Sequence, residues 1–404
     1  MYGGQHGPFI VGRKRRYAKM HFRHELVDAN PPCEHLGFCF TTDLTGNGRP
    51  DLIVGGHGPY IENSIVGRTK AKLKRRFLPN DRFQTKLFWY ENPGWERHTL
   101  SSDPSLMLGV AGDMHDITGN GRLDLALGEN IYDHNVYWFE QPADPREEWT
   151  VHVATSEFEK YHDVGFGDVD DDGDAELVGL SQESETIFYY DIPDDPYQEP
   201  WPSSHLHIVD DDIRVEGLEI VDIDGDGRTE ILAGTQIYRQ PASFADQWER
   251  DPVATGWDDN RVAVADLDGD GDLEIVYSEG DSPALSDRLG RLAWFDRDGD
   301  EWTGTFLHEE LSNPHTLQVA DFTGSGTVDI YVAEMGISDN EDPTHYLFVN
   351  DGDAVFDQHV IANGIATHEA RAVDLNEDGR IDIAGKSYAP DIEDAHVDVW
   401  YNEP

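Results

Sequence analysis

Short runs of alternating apolar and polar residues follow one another along the chain, separated by Gly, Asp and Pro. One stretch reads LMLGVAGDM, LDLALGE, NVYWFEQP and EWTVHVATS in succession. This two-residue period, rich in β-branched and aromatic residues, predicts β-strands, and no helical period interrupts it. We therefore expect an all-β protein.

One pattern recurs seven times: Asp, an apolar residue, three further residues, Gly, two residues, Asp or Glu, and another apolar residue. The first residues of the copies are Asp43, Asp116, Asp168, Asp222, Asp266, Asp321 and Asp374. Successive copies start 73, 52, 54, 44, 55 and 53 residues apart. Each repeat has room for four short strands, which is the unit of a β-propeller blade. The expected fold is one domain over residues 1–404, a seven-bladed β-propeller of four-stranded antiparallel blades.

The two ends of the chain complement each other. The last repeat stops after its third strand, HVDVWYN, and the pattern of a fourth strand occurs instead near the N-terminus, in KMHFRHELVDA. We predict that a strand at about residues 17–28 completes blade seven and removes an exposed sheet edge. The alternative, an open solenoid, leaves this strand without a partner.

Oxygen-bearing side chains stand at positions 1, 3, 5 and 9 of each copy, with Gly at position 6. This resembles the calcium loop of EF-hands. Three loops have four carboxylates: Asp168, Asp170, Asp172 and Glu176; Asp222, Asp224, Asp226 and Glu230; Asp266, Asp268, Asp270 and Glu274. A fourth has three, in Asp374, Asn376, Asp378 and Asp382, and the others have two. We expect structural Ca²⁺ in three to four or more loops; the alternative is an Asx-type turn without metal.

The seven copies resemble FG-GAP/VCBS repeats, the blades of integrin α-chain propellers and of many microbial proteins. The segment WYENPGWERHTL (Trp89–Leu100) is more similar to microbial VCBS proteins encoded near sugar-degrading enzymes than to integrins. Seven-bladed polysaccharide lyases and sugar dehydratases share this architecture. The resemblance implies a calcium-stabilised propeller with a carbohydrate-related role, although such propellers serve adhesion, sugar binding and lyase chemistry alike.

The composition is strongly acidic, with 81 Asp and Glu against 30 Lys and Arg and a net charge of −51. This argues against a nucleic-acid partner and against contact with an anionic membrane. The acidic excess resembles proteins of salt-loving archaea. Because no secretory signal is found, we predict the cytoplasm of a salt-adapted archaeon, with an extracellular location left open.

Function is expected on the face of the propeller opposite the calcium loops. Two groups of residues are expected on that face: those about six residues before the first Asp of each loop, and those five or six residues after position 9 of the loop. Between the first of these positions and the loop, the first strand of each blade is expected to be apolar, as in LEIVDID. Histidines on the outer strands, such as His98, His152 and His207, are interpreted as structural. The candidate catalytic residues are His35, His315, His368, Tyr388, Arg214, Arg261 and Lys386.

The leading hypothesis is a lyase or dehydratase acting on an anionic sugar. Elimination needs a base, which His315 or His368 would supply, and cations that stabilise the enolate-like charge. Tyr388 would donate a proton, and a further divalent metal at this face is an open option. The expected substrate-binding residues are His57, His134, His162, Glu334 and Glu369. The alternative is a non-enzymatic propeller that binds a glycan or protein or serves assembly.

Blade one contains a basic insertion at about residues 57–86. It holds eight Lys and Arg, and residues 1–86 carry 15 basic against 7 acidic residues. We predict a lid for an anionic carbohydrate or sugar acid, in which Lys74, Arg75 and Arg76 contact the ligand. The alternatives are a homo-oligomer contact, a short nucleic-acid tether and a solvated basic loop.

Overall fold

The computed structural model describes residues 20–33, 35–57, 87–102, 106, 108–129, 134–241, 247–299, 301–337, 340–388 and 395–404. Within these ranges the chain forms 28 β-strands and one short 3₁₀ helix at Ser203–His205. The strands make seven four-stranded antiparallel sheets, which confirms the predicted all-β seven-bladed propeller. No helix in the part of the chain that the structure describes has the length and apolar content of a membrane span.

The strands follow one another blade by blade. Blade 1 is β2 (His35–Thr42), β3 (Asp51–His57), β4 (Leu87–Glu91) and β5 (Glu96–Ser101). Blade 2 is β6 (Leu108–His115), β7 (Asp124–Glu129), β8 (Val136–Glu140) and β9 (Thr150–Thr155). Blade 3 is β10 (Tyr161–Gly167), β11 (Glu176–Ser181), β12 (Thr186–Asp191) and β13 (Leu206–Asp210). Blade 4 is β14 (Leu218–Val221), β15 (Glu230–Ala233), β16 (Gln236–Arg239) and β17 (Glu249–Pro252).

The remaining blades lead back to the start of the chain. Blade 5 is β18 (Asn260–Ala265), β19 (Glu274–Glu279), β20 (Gly290–Asp298) and β21 (Glu301–Leu311). Blade 6 is β22 (Thr316–Ala320), β23 (Asp329–Ala333), β24 (Thr344–Asn350) and β25 (Phe356–Asn363). Blade 7 is β26 (Glu369–Val373), β27 (Asp382–Lys386), β28 (Val397–Glu403) and β1 (His21–Asp28).

The first described strand closes the ring. β1 pairs antiparallel with β28, from His21 opposite Glu403 to Asp28 opposite Val397. Phe22 is buried and belongs to one apolar cluster with Trp400 of blade 7 and Phe322 of blade 6. The predicted closure by an N-terminal strand is therefore confirmed, because this strand fills the outer edge of blade 7.

Aromatic residues on the third strands form much of the core between blades. Trp89, Trp138 and Trp400 are fully buried. His98 stacks on Trp89 with ring centroids 4.5 Å apart, and His152 stacks on Trp138 at 4.2 Å. These outer-strand histidines pack in the core, in agreement with their structural interpretation.

The loop between the first two strands of each blade turns at a glycine. In blade 4, Gly227 has a φ of +92°, and its N–H donates to Asp222 Oδ2 over 2.9 Å. A side chain at position 6 would be strained, because L residues rarely adopt this left-handed backbone. The first Asp of the loop thus closes the turn through backbone hydrogen bonds, as in an Asx turn.

Candidate functional site at the mouth of the central channel

The first strands of blades 2 to 7 surround a cavity of about 400 Å³. Its charged lining residues are Asp113, Asp163, Glu219, Arg261, Glu369 and Arg371. The expectation that the entry strands are apolar is wrong at this point, because Glu219 of LEIVDID lines the cavity. Successive strand residues face opposite sides, so one side chain in two reaches the channel while its neighbours pack between blades.

The upper end of this channel carries a second set of polar residues. His162, Glu216, His315 and His368 each stand six residues before the first Asp of their calcium loop, and Arg261 stands five before Asp266. All four of these His and Glu side chains are buried. We call these five residues the mouth network.

Arg261 is the centre of the mouth network. Its Nη2 lies 2.7 Å from His315 Nε2, 3.1 Å from Glu216 Oε2 and 3.4 Å from His162 Nε2. Burial of Glu216 opposes ionisation, but the charges of His162 and Arg261 outweigh it and lower the pKa of this carboxyl. Two imidazole nitrogens and a carboxylate oxygen therefore surround a guanidinium nitrogen, and a further divalent metal at this face stays a prediction.

His315 and His368 are stacked with ring centroids 3.9 Å apart. His315 Nδ1 donates to the backbone oxygen of His368 over 2.8 Å, which leaves Nε2 to accept from Arg261. Burial, reinforced by neighbouring positive charge, holds the pKa of both imidazoles well below the usual value. Both rings are therefore neutral at pH 7.

Lys386 is fully buried beside His368. Its Nζ donates to the backbone oxygens of Leu36 and Gly37 in blade 1, over 2.6 and 3.0 Å, and contacts His368 Nδ1. Burial lowers the pKa of this lysine to about 7. Lys386 thus ties blade 7 to blade 1 across the point where the ring closes.

Two further predicted residues extend the stack of rings. Tyr388 stacks on His368 with centroids 4.6 Å apart, and His35 meets the Tyr388 ring edge-on at 5.7 Å. The structure therefore brings His315, His368, Tyr388 and His35 together across blades 6, 7 and 1. Their assignment to catalysis stays a prediction.

Other predicted residues lie apart from this stack. Arg214 donates to Asp259 Oδ1 over 2.8 Å and is 43% exposed, so it is not a charge partner of the stacked histidines. His134 is half exposed and lies 3.7 Å from Glu159. Glu334 accepts the backbone N–H groups of Ser312 and Thr344 and holds their loops together.

The remaining substrate-binding predictions divide between the channel and the undescribed part of the chain. His162 pairs with Asp163 at 2.8 Å, and Glu369 accepts from Arg371 over 2.8 Å; all four residues line the cavity. His57 is described only as the end of β3. Lys74, Arg75 and Arg76, with the rest of residues 58–86, lie outside the described residues.

Several residues of this site were not expected from the sequence. Asp281 lies among the charges of the mouth network, and burial raises its pKa to about 6. A Cβ on Gly280 would lie 3.2 Å from Arg261 Nε and 3.3 Å from His315, so a larger residue there would require these side chains to shift by a few tenths of an ångström. A usable signal existed for the channel: Asp113, Glu219 and Arg371 all stand three residues before a loop Asp.

Three calcium loops gather carboxylates. Within the described residues, ligand atoms closer than 4.8 Å to one another occur in these groups: Asp168, Asp170 and Glu176; Asp222, Asp224 and Glu230; Asp266, Asp268 and Glu274. Burial and then the neighbouring aspartates raise the pKa of Glu176 to about 8. Asp168 Oδ1 is buried without a hydrogen-bond partner. This oxygen-rich set fits Ca²⁺, which would neutralise the clustered charge.

The fourth predicted loop is arranged differently. Asp374, Asp378 and Asp382 do not form such a group among the described residues. Both oxygens of Asp382 accept backbone N–H groups, from Asn402 over 2.7 Å and from Leu375 over 3.1 Å. A calcium site formed by these residues with Asn376 stays a prediction.

Comparison with known proteins agrees with this architecture. Residues 116–179 and 222–277 match the family of FG-GAP-like repeats. No curated protein sequence matches the chain. The crystal structure of the biofilm matrix protein Bap1 from V. cholerae matches with a TM-score of 0.51 and 10% identity, over 95% of this chain and 91% of that chain. At this identity the likeness shows the fold alone. The chain is thus a seven-bladed β-propeller that carries FG-GAP-like repeats.

Proposed function

We propose that this protein is a carbohydrate-binding propeller that takes a saccharide unit into the upper mouth of its channel. The observation that carries the proposal is the lining of the cavity. Carboxylates of Asp163, Glu219 and Glu369 stand beside the guanidinium groups of Arg261 and Arg371. Sugar hydroxyls both donate and accept hydrogen bonds, so a mixture of acceptors and fixed donors suits them.

One oxygen of this lining has an unused hydrogen-bonding capacity. Glu369 binds Arg371 through Oε1, whereas its Oε2 is buried without a partner. A buried unpaired acceptor costs about 1–3 kcal/mol, and a ligand hydroxyl would remove that cost. The cavity volume of about 400 Å³ also lies within the usual range of ligand sites.

The charge of the cavity favours a neutral sugar over a uronate. Four carboxylates line it against two guanidinium groups. Burial raises the pKa of Glu219 to about 7, so this group is partly protonated near neutrality and then donates as well. An anionic carbohydrate remains the proposed ligand of the basic segment at residues 66–86.

Recognition fits the mouth network better than elimination. Arg261 occupies the lone pair of His315 Nε2, and Lys386 occupies that of His368 Nδ1. Neither nitrogen can accept a substrate proton in this arrangement. Bap1, which has the same fold, is a biofilm matrix protein, and a binding role for the present chain is in keeping with that description.

A lyase or dehydratase is the second candidate, and one observation favours it. The pKa of Lys386, lowered to about 7, places a buried amine near neutrality beside His368 and Tyr388. Release of this amine from the backbone of blade 1 would make it a base.

Calorimetric titration of the calcium-loaded full chain with cellotetraose, mannotetraose and tetragalacturonate tests the proposal. We expect a neutral tetrasaccharide to bind, and Glu369→Gln to weaken it by about ten- to hundredfold, the value of a hydrogen bond to a charged group. Glu309→Gln, on the exposed face of β21, is the matched control and should bind normally.

Three results would decide against the proposal. Binding of none of the three sugars would refute it, as would equal affinity of the Glu369→Gln variant. A product of tetragalacturonate that absorbs near 235 nm would establish the lyase instead.

A further inference from the structure

Residue 9 of the calcium loop divides the seven blades into two classes. It is Asp in blades 1, 2, 6 and 7 and Glu in blades 3, 4 and 5. Because the ring is closed, each class occupies one continuous arc. We call blades 3 to 5 the Glu arc and blades 6, 7, 1 and 2 the Asp arc.

In the Asp arc, backbone amides occupy both oxygens of residue 9. In blade 1, Asp51 accepts from Leu44 N–H over 3.0 Å and from Asn92 N–H over 2.8 Å. The equivalent residues of the other three blades, Asp124, Asp329 and Asp382, also accept one backbone N–H from position 2 or 3 of their loop and one from the residue in the place of Asn92, which is Gln141, Asn350 or Asn402. All four aspartates are fully buried. In this loop type both oxygens of residue 9 therefore have hydrogen-bond partners within the protein.

The asparagines of this arc also join blades. Asn92 Nδ2 donates to the backbone oxygen of Leu375 in blade 7 over 2.7 Å, and Asn402 Nδ2 donates to that of Phe322 in blade 6 over 2.7 Å. Asn350 Nδ2 donates to Leu267 of blade 5 over 2.6 Å. These bonds connect the calcium loops of blades 5, 6, 7 and 1 through protein atoms.

In the Glu arc, the glutamate at position 9 is part of a cluster of acidic side chains in the loop. Glu230 accepts from Ile223 N–H over 3.1 Å, and the longer side chain brings a carboxylate oxygen within 4.8 Å of those of Asp222 and Asp224. The position that Asn92 holds in blade 1 is occupied by Ile192 in blade 3, Gln240 in blade 4 and Arg297 in blade 5. Each of these loops has four carboxylates at positions 1, 3, 5 and 9. In blade 4, Arg239 contacts Asp224 over 3.3 Å and Arg228 contacts Asp226 over 3.0 Å, so these guanidinium groups offset only part of the mutual repulsion of the carboxylates.

We propose that calcium dependence is confined to the Glu arc and that calcium thereby regulates the mouth network, an inference whose ligand part rests on the proposed function. The Glu arc supplies His162 on β10, Arg261 on β18 and Glu216 just before β14, each five or six residues before the first Asp of its loop. The Asp arc supplies His315 and His368 and contains the ring closure. Loss of calcium loosens the lower ends of β10, β14 and β18 and displaces Arg261 from His315, while the ring stays closed.

The first test measures stoichiometry on the metal-stripped full chain by calorimetric titration with CaCl₂. Three ions are expected, one for each of the three clusters of acidic residues in the Glu arc. Asp224→Asn should leave two, whereas Asp378→Asn, in the corresponding loop of blade 7, should leave three. Four or more ions in the wild type, or a loss of one ion in Asp378→Asn, would overturn the inference.

The second test needs no ligand and no variant. Hydrogen exchange measured by mass spectrometry, with chelator and with calcium, should show faster exchange in blades 3 to 5 and unchanged exchange in blades 6, 7, 1 and 2. A uniform change around the ring would contradict the two-arc division.

The third test is the affinity for the neutral tetrasaccharide, measured with and without calcium. We expect a loss of at least about tenfold on chelation, restored by calcium. If the first two tests succeed and the affinity does not change, regulation of the mouth is refuted. If no tetrasaccharide binds at all, the proposed function fails, and the stoichiometry and exchange pattern still decide whether calcium dependence is confined to the Glu arc.

Discussion

Arg261 Nη2 lies 2.7 Å from His315 Nε2, and this bond joins blade 5 to blade 6 at the mouth of the channel. The same guanidinium nitrogen lies 3.1 Å from the buried carboxylate of Glu216 in blade 4. One side chain therefore connects three blades and keeps a buried carboxylate neutralised.

Arg261→Met should lower the free energy of unfolding by about 3–5 kcal/mol, because it removes the guanidinium from the buried carboxylate of Glu216 and leaves His162 and Gln182 beside it. The double variant Arg261→Met/Glu216→Gln should recover much of this loss. Arg214→Met is the control: Arg214 is 43% exposed, and we expect a change below about 1 kcal/mol. Urea denaturation measures all three, and equal losses in Arg261→Met and Arg214→Met would contradict the role of Arg261.

The closure of the ring depends on the N-terminal strand. Deletion of residues 1–28 should expose the edge of β28 and cause aggregation or loss of cooperative unfolding. Phe22→Ala should cost about 3–5 kcal/mol, the usual effect of removing a buried aromatic side chain. Leu26→Ala, at a position 49% exposed on the same strand, should cost far less. Light scattering and urea denaturation report on both, and a monomeric truncated chain with unaltered melting would disprove closure.

Lys386 should make stability depend on pH. Its pKa is about 7 in the folded chain and about 10.4 in an unfolded one, so the unfolded state binds more protons between these values. Its contribution to the free energy of unfolding therefore increases as pH rises from 7 to about 10.4 and reaches its constant minimum below pH 7. Compared with Lys386→Met, the wild type should gain unfolding free energy over this range. A difference that stays constant between pH 6.5 and pH 9.5 would show that the buried amine does not titrate there.

Calcium should stabilise the fold through the loops rich in carboxylate. Removing it with a chelator at constant high salt should lower the melting temperature, because a ligand of the native state is lost. Asp224→Ala should reproduce part of that decrease. Differential scanning calorimetry measures both, and unchanged melting on chelation would refute a structural role for calcium.

The basic segment of residues 66–86 is expected to contact an anionic glycan. Replacing Lys74, Arg75 and Arg76 together with Ser should weaken binding of tetragalacturonate and leave melting almost unchanged. Long-range attraction is small in molar salt, so the effect should persist there only through close contacts. If light scattering shows a change in oligomer size and binding stays the same, the segment is an assembly contact.

The sequence alone was sufficient for the fold and for the position of the calcium loops. The spacing of Asp43, Asp116 and the five later copies indicates seven blades, because turn residues and alternating strands are local properties of the chain. The rule that mouth residues stand about six before the first loop Asp also follows from strand length. It assigns His315 and His368 to one face, and in the structure their rings are stacked 3.9 Å apart.

Only the tertiary structure decided which of these residues meet. Lys386 binds the backbone of Leu36, 350 residues away, because ring closure brings blade 7 against blade 1. Glu219 lies within an apolar segment and still lines the channel, because strand alternation gives β14 two faces and only the assembled ring shows which face is turned toward the channel. Asp382 and Glu230 occupy the same loop position, but only packing shows that Asn402 fills one aspartate oxygen while the glutamate joins an acidic cluster. Such pairings depend on distances between blades, and no local pattern in the sequence encodes those distances.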